Sequence, residues 1–201
     1  MINKDYLTIG RQSRRGVLEM ETKKKIMNSA FRLFAEKGNE FSLTEVANEV
    51  GIKKASIYAH FNSKEVLLYE VIDQEIYEYF FEIDEQSRDL KSTFEMILHY
   101  YSKSKSKRYF WKRLLLFPPT AFETTLIQKI NKLTEQRYGI IKDLIKSEME
   151  KGIIRHQDPE TVLYSFLAMI HGLVSISIIY EAEDLKINQD ELWQNFWNGI
   201  R

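Results

Sequence analysis

Two helix-capping patterns lie within the stretch from Phe41 to Leu68, and they restrict what this part of the chain can fold into. Ser42 and Glu45 form an S-x-x-E capping box, in which each side chain accepts a hydrogen bond from the other residue's backbone amide. Asn62 and Glu65 repeat this spacing further along the chain. The pattern predicts one helix that starts just after Ser42 and another that starts just after Asn62.

Two short helices fit between these caps: Leu43 to Val50 and about Lys54 to His60, with Gly51 in the connecting turn. Gly51 can adopt the positive φ that a tight turn after a helix requires. Ala47 is small, as the crossing of two close helices demands. The apolar positions of this stretch are Val46, Val50, Ile52, Ile57 and Phe61. This layout is typical of a helix-turn-helix.

The same residues resemble the DNA-binding domain of the TetR family of transcriptional regulators, in the pattern S-L-T-E-V-A-x-x-V-G-I-x-x-x-S-I-Y-x-H-F-x-S-K-E-x-L-L. The preceding segment I-M-N-S-A-F-R-L-F-A-E-K-G, from Ile26 to Gly38, is similar to the first helix of that family. The specific part of the resemblance covers about residues 22–68. Beyond it, the likeness lies in the number and length of the helices.

The predicted fold class is all-α: a three-helix head with the helix-turn-helix, then a C-terminal helical bundle body, about nine helices in all. Residues 21–66 form the predicted TetR-type DNA-binding domain, and residues 67–201 the ligand-binding and dimerisation domain. Residues 1–20 show no helical periodicity and are predicted to be a flexible basic arm. An alternative hypothesis is a native start at Met20, with residues 1–19 outside the native protein.

The resemblance also implies which residues contact DNA. Lys53 begins the reading helix, Lys54 can donate to guanine, and Ala55 can touch a thymine methyl. The alternative interpretation is structural: Tyr58 as a supporting residue, His60 as an internal hydrogen-bonding group and the lysines as solvated charges. The predicted DNA-binding residues are Ser42, Thr44, Lys53, Lys54, Ala55, Ser56, Tyr58, Ala59, His60 and Lys64.

The charge is unevenly distributed, although the chain as a whole is neutral. Residues 1–64 carry 12 Lys and Arg against 7 Asp and Glu, while residues 65–201 carry 17 against 22. A basic head on an acidic body suits a polyanionic partner at one end. With no cysteine and four dispersed histidines, the sequence predicts no metal site and no cofactor. It also lacks a nucleophile elbow and a glycine-rich phosphate loop, so no enzyme is predicted.

Residues 161–180 are twenty consecutive residues without a charge, which is long enough to span a membrane. Serines, tyrosines and His171 dilute the apolarity, and both flanks are acidic without a Lys or Arg bias, so the sequence predicts no membrane partner. A helix apolar on all sides is otherwise buried on all sides. The resemblance implies a homodimer through the last two long helices, with Leu167, Ile170, Val174, Ile178, Trp193, Phe196 and Trp197 in the interface.

Aromatic residues cluster in the predicted body, and the resemblance implies that such a body encloses an effector pocket. The candidate lining is Tyr100, Tyr101, Phe110, Trp111, Phe117, Phe122, Tyr138 and His171. The alternative is that these residues are ordinary helical core. No charge pattern selects one ligand, so the predicted effector is an unidentified small apolar or aromatic molecule.

The leading functional prediction is a sequence-specific, cytoplasmic DNA-binding regulator. Its partners would be double-stranded operator DNA, pseudo-palindromic for a two-fold dimer, and a second copy of the chain. The resemblance favours a repressor that a small apolar ligand releases from its operator. The alternatives are a DNA-bound adaptor that acts through a protein partner, and an activator.

Overall fold

The structure, a computed structural model, describes residues 4–84, 88–180 and 188–201, and for residues 4–16, 82–84, 122 and 123 it describes the backbone alone. Over these ranges the chain forms nine α-helices and no strand. The helices are α1 Lys4–Lys37, α2 Leu43–Val50, α3 Lys54–Ile57, α4 Lys64–Asp84, α5 Leu90–Ser102, α6 Lys105–Leu116, α7 Glu123–Glu150, α8 Pro159–Ile179 and α9 Gln189–Ile200, with 3₁₀ turns at Gly38–Glu40 and Thr120–Phe122. The predicted all-α class, with a helix-turn-helix head and a helical body, is confirmed.

The chain divides into two compact units, Met1–Gln74 and Glu75–Arg201, so α4 contributes residues to both. The predicted boundary at residue 66 remains a prediction. In the first unit, α1 packs against α2 and α2 against α3. Its core consists of fully buried apolar side chains, among them Ile26, Ala30, Phe34, Val46, Ile57, Phe61 and Leu67.

A buried polar contact also joins α1 to α2. The Ser29 side chain is inaccessible to solvent, and its hydroxyl donates to Glu49 Oε2 at 2.7 Å. Arg32 donates to the same oxygen at 3.0 Å. A buried hydroxyl without an acceptor would be costly, so this contact fixes how the two helices meet.

The first helix begins earlier than the sequence predicts. The prediction was a start near Thr22 after a flexible arm, whereas α1 runs from Lys4. Val17, Leu18 and Met20 are exposed on this extension, which explains why no apolar stripe marks it. Extending an existing helix needs no new nucleation and adds one hydrogen bond per residue, so the start of a helix need not coincide with the start of its apolar stripe.

The second unit contains the end of α4 and α5 to α9. Its helix α8 packs against α5, α6 and α7 and buries eight of its side chains. With a mean hydropathy of 2.1, α8 is long and apolar enough to cross a membrane by length and composition alone. The core helices of soluble proteins meet the same criterion, and α8 packs on three neighbours with 39% of its most apolar window buried.

The core of this unit encloses a hydrogen-bonded polar cluster, which we call the Glu75 network. The Tyr100 hydroxyl donates to Glu75 Oε2 and accepts from Trp111 Nε1, both at 2.8 Å. Lys107 Nζ lies 3.0 Å from Glu75 Oε2 and 3.0 Å from Glu78 Oε2, and 4.3 Å from the centre of the Tyr100 ring. The network joins α4, α5 and α6 through these side chains. The periodicity of the sequence does not indicate which of them are partners.

Candidate nucleic-acid interface and effector cavity

The capping box at the start of α2 forms as predicted. Ser42 Oγ accepts from the Glu45 amide at 3.3 Å, and Glu45 Oε2 accepts from the Ser42 amide at 2.8 Å. The hydrogen bond from Lys37, followed by those from Ser42, lowers the pKa of Glu45 to about 2. The Ser42 hydroxyl also donates to Glu45 at 2.9 Å. Because its proton is already used, Ser42 can contribute to a phosphate contact only by breaking this bond.

The turn between α2 and α3 depends on Gly51, which has φ of +73°. Its amide donates to the Asn48 carbonyl at 3.3 Å, and the next amide, of Ile52, donates to Ala47 at 3.0 Å. These two bonds satisfy carbonyls that the helix end leaves open. The chain can then begin α3 at Lys54, with the N-terminus and one face of this helix directed outward.

The outer face of α2 and α3 brings together most of the predicted DNA-binding residues. Ile57 is buried and anchors α3, while His60 is partly buried. Tyr58, directly after α3, has 49% of its surface exposed. The exposed members are Ser42, Thr44, Lys53, Lys54, Ala55, Ser56, Tyr58 and Ala59. Contact with a major groove requires exposed side chains on and beside the helix that enters it, and these residues meet that requirement.

Ion pairs with carboxylates neutralise some cations of the first unit, and other cations have no such partner among the described residues. Lys37 pairs with Glu45, Arg32 with Glu49 at 3.0 Å and Lys23 with Glu70 at 2.7 Å. Within the described part of the chain, neither Lys53 nor Lys54 forms an ion pair, and both are exposed. Lys53 and Lys54 at the start of α3 are therefore available to a polyanion, as are the exposed Lys24 and Lys25 of α1.

Lys64 has a structural contact that the sequence did not indicate. Its Nζ donates to the Asn39 carbonyl and lies 4.5 Å from the centre of the Phe41 ring. Partial burial lowers the pKa of Lys64. The side chain thus ties the start of α4 to the segment before α2. A phosphate contact by Lys64 would have to replace or share this hydrogen bond.

A cavity of about 230 Å³ opens between α5, α6 and α8. Three of the predicted pocket residues line it, namely Tyr101, Trp111 and His171. Partial desolvation lowers the pKa of His171, although the residue stays partly exposed. The remaining lining residues are Arg108, Lys112, Leu115, Leu116, Val174, Ser175 and Ile178.

The other predicted pocket residues lie elsewhere. Tyr100 and Phe110 are buried in the core, and Tyr138 is partly buried. Phe117 has 73% of its surface exposed, because it follows the last turn of α6 just before two prolines and faces solvent. The side chain of Phe122 lies outside the described residues. The predicted aromatic cluster is thus divided between the core, the surface and the cavity. Aromatic residue type alone does not determine which of these places a residue occupies.

A second cavity, of about 560 Å³, lies where α5 begins and α7 ends, beside α9. Trp193 and Trp197, both predicted as dimer contacts, line it. Its walls carry charges of both signs from Arg88, Asp89, Lys91, Glu148, Lys151 and Arg201. Burial raises the pKa of Glu148.

The predicted dimer residues of α8 belong to the core of the single chain. Ile170 is 1% exposed, Leu167 8% and Ile178 9%, and Trp193 of α9 is 4% exposed. Val174, Phe196 and Trp197 are partly buried. A uniformly apolar helix does not reveal which face points inward, and the predicted interface through these residues remains a prediction. A second face of that helix remains exposed: Tyr164, Ser165, Ala168, His171, Ser175, Ile176 and Ile179.

Residues 26–71 match the family model described as bacterial regulatory proteins, tetR family. This range contains the helix-turn-helix and the start of α4. It is close to the range, about residues 22–68, on which the sequence resemblance rests.

Known proteins extend the likeness to the body. The HTH-type transcriptional regulator YvaF of Bacillus subtilis is 22% identical over 174 residues, 80% of this chain and 82% of its own length. The negative transcriptional regulator IcaR of the Staphylococcus aureus biofilm operon icaADBC is 51% identical over 43 residues, 21% of this chain and 23% of IcaR. The crystal structure of FadR from Bacillus subtilis, in complex with stearoyl-CoA, superimposes with a TM-score of 0.66 at 16% identity, covering 89% of this chain and 99% of FadR.

Proposed function

Given that the chain is a DNA-binding transcriptional regulator of the TetR family, we propose that it is a homodimeric repressor that a small ligand in its helical body releases from operator DNA. The observation that carries the proposal is the exposed face of α3, on which Lys53 and Lys54 stand without ion pairs among the described residues. A repressor of this kind acts in the cytoplasm, where the DNA is.

We assign the side chains around α3 to two kinds of DNA contact, with phosphates and with bases. Lys53 and Tyr58, at the two ends of α3, are proposed to contact phosphates, which position a protein without reading sequence. Lys54 is the longest donor on the reading face and can bond guanine O6 and N7. Ala55 and Ala59 can contact thymine methyl groups. With one long donor per head, shape and deformability of the DNA would supply much of the specificity.

A dimer is proposed because one such head has few base contacts. Two heads related by a two-fold axis read two half-sites and multiply their affinities. The exposed face of α8 supports this proposal: Ala168 and Ser175 are small, which permits close helix approach, and Ile179 is an exposed large apolar side chain. A second copy would bury this face.

The effector is proposed to bind the 230 Å³ cavity between α5, α6 and α8. FadR, whose fold the chain shares, was crystallised with stearoyl-CoA, which supports a body that takes a small molecule. For release from DNA, the ligand must bind better to the conformation that binds the operator poorly. Affinity for the protein alone would change nothing.

The test is a gel-shift titration with DNA flanking the chain's own gene, using random DNA as competitor and two salt concentrations. We expect a competitor-resistant complex containing two chains. Lys53→Gln should weaken binding to all sequences alike and reduce the salt slope by about one. Lys54→Gln should instead reduce the preference for the operator over random DNA.

Lys146→Gln, on an exposed position of α7, is the matched control and should leave DNA binding unchanged. A complex that random DNA displaces as readily as operator DNA would exclude a regulator of its own locus. If Lys53→Gln and Lys54→Gln both bound like the control, the assignment of α3 as the reading helix would be wrong.

A further inference from the structure

The 230 Å³ cavity has a lining of one charge sign. Leu115, Leu116 and Ile178 form an apolar wall together with Trp111 and Val174. Arg108 and Lys112 supply two cationic groups, and none of the ten lining residues is a carboxylate. No described Asp or Glu forms an ion pair with Arg108 or Lys112. Arg108 is partly buried and Lys112 is exposed, and neither has a counter-charge among the described residues, so both can pair with an anion that enters the cavity.

Arg108 is only partly satisfied by the protein. One of its terminal nitrogens donates to the Tyr101 carbonyl at 3.1 Å. Its Nε is buried, and no acceptor among the described residues meets it. A guanidinium has five donors in a planar fork that matches a carboxylate. An anionic group in the cavity would satisfy the remaining donors and the charge together.

We propose that this cavity binds an amphipathic monoanion, an apolar chain or ring that carries one carboxylate, with the carboxylate on Arg108 and Lys112 and the apolar part against Leu115, Leu116 and Ile178. The inference rests on the proposed function, because it names the class of effector. A neutral apolar ligand would fill the same space but leave both cations uncompensated. The cavity is smaller than the roughly 300–1,000 Å³ of drug-sized sites, so it encloses a short ligand.

The experiment is isothermal titration of the purified full chain, without DNA, with octanoate and with 1-octanol as the neutral ligand of equal chain length. We expect octanoate to bind at least tenfold more tightly. Arg108→Gln should remove this preference, and Arg108→Lys should keep part of it because the charge remains. Lys146→Gln controls for a general loss of positive charge.

Three outcomes would overturn the inference: equal affinity for octanoate and 1-octanol, no detectable octanoate binding, or an unchanged preference in Arg108→Gln. Circular dichroism of each variant identifies a failure to fold, and Arg108→Lys then carries the test. Because no DNA is present, failure here leaves the gel-shift result intact. Conversely, absence of an operator complex with the flanking DNA would exclude a regulator of its own locus without touching the preference for a carboxylate.

Discussion

Loss of Lys107 is expected to destabilise the body, because its side chain is the cation of the Glu75 network. Its side chain is 13% exposed and that of Glu75 11%, and their charged atoms are 3.0 Å apart. Lys107→Met keeps the apolar stem but leaves Glu75 buried without its cation. Removing one partner of a buried pair costs about 3–5 kcal/mol. For a chain of this size, that corresponds to a fall in Tm of roughly 6–20 °C.

The pH dependence distinguishes a lost charge pair from lost packing. Burial raises the pKa of Glu75, while the charge of Lys107 lowers it. Without Lys107, the pKa of Glu75 should rise further. A carboxyl whose pKa is higher in the folded state binds more protons there, so stability falls as pH rises from the unfolded value of 4.5 through the folded pKa. Lys107→Met should therefore be most destabilised above that pKa and recover stability as pH falls toward 4.5.

The assay is urea denaturation followed by circular dichroism at fixed protomer concentration, since dimerisation makes apparent stability concentration-dependent. Lys146→Met, at an exposed position of α7, is the matched control. Adding Glu75→Gln to Lys107→Met should recover stability, because the unpaired charge is gone. The reasoning fails if Lys107→Met costs no more than the control, or if its cost is the same at every pH.

Three other perturbations have a definite expected sign. Gly139→Ala in α7 should raise the free energy of unfolding by about 0.5–1 kcal/mol, because an added Cβ meets no described atom within 4 Å; a lower Tm would contradict this. Stability of the first unit should fall as pH drops from 4.5 toward about 2, because Glu45 is protonated over this range. In thermal melts, Glu45→Gln should reduce this loss of Tm at acid pH. Ala168→Glu on the exposed face of α8 should yield monomers in sedimentation with unchanged helicity, whereas Gln128→Glu on α7 should not.

Local signals predicted the head well. The Ser42 and Glu45 capping box and the Gly51 turn are contacts between residues close in sequence, so their spacing specifies their geometry. The start of α6 follows the same local logic, since Ser104 caps it by accepting from the Lys107 amide. The predicted cap at Asn62 was displaced by one residue, because Ser63 is the side chain that accepts from the Val66 amide.

Long-range contacts could not be predicted in the same way. Glu75 and Lys107 are 32 residues apart, and neither position breaks a helical pattern in a manner that names a partner. The apolar residues of α8 were recognised as buried, but sequence does not distinguish burial by the chain itself from burial by a second copy. The cavity combines side chains of three helices, so its cationic lining emerged from the packing of α5, α6 and α8.

The proposed repressor mechanism also has a thermodynamic consequence that separates an effector from a bystander. Coupling between two binding sites is reciprocal, so a ligand that lowers operator affinity tenfold must bind tenfold more weakly to the operator complex. Octanoate titrated into the free chain and into the operator complex should therefore show the same ratio that operator binding shows with and without octanoate. Arg108→Gln should abolish both effects, the weaker operator binding with octanoate and the weaker octanoate binding with operator, because both are proposed to depend on octanoate in this cavity. Competition of octanoate for the DNA-binding surface, where Lys53 and Lys54 are exposed cations, would instead exclude octanoate from the operator complex entirely and would persist in Arg108→Gln.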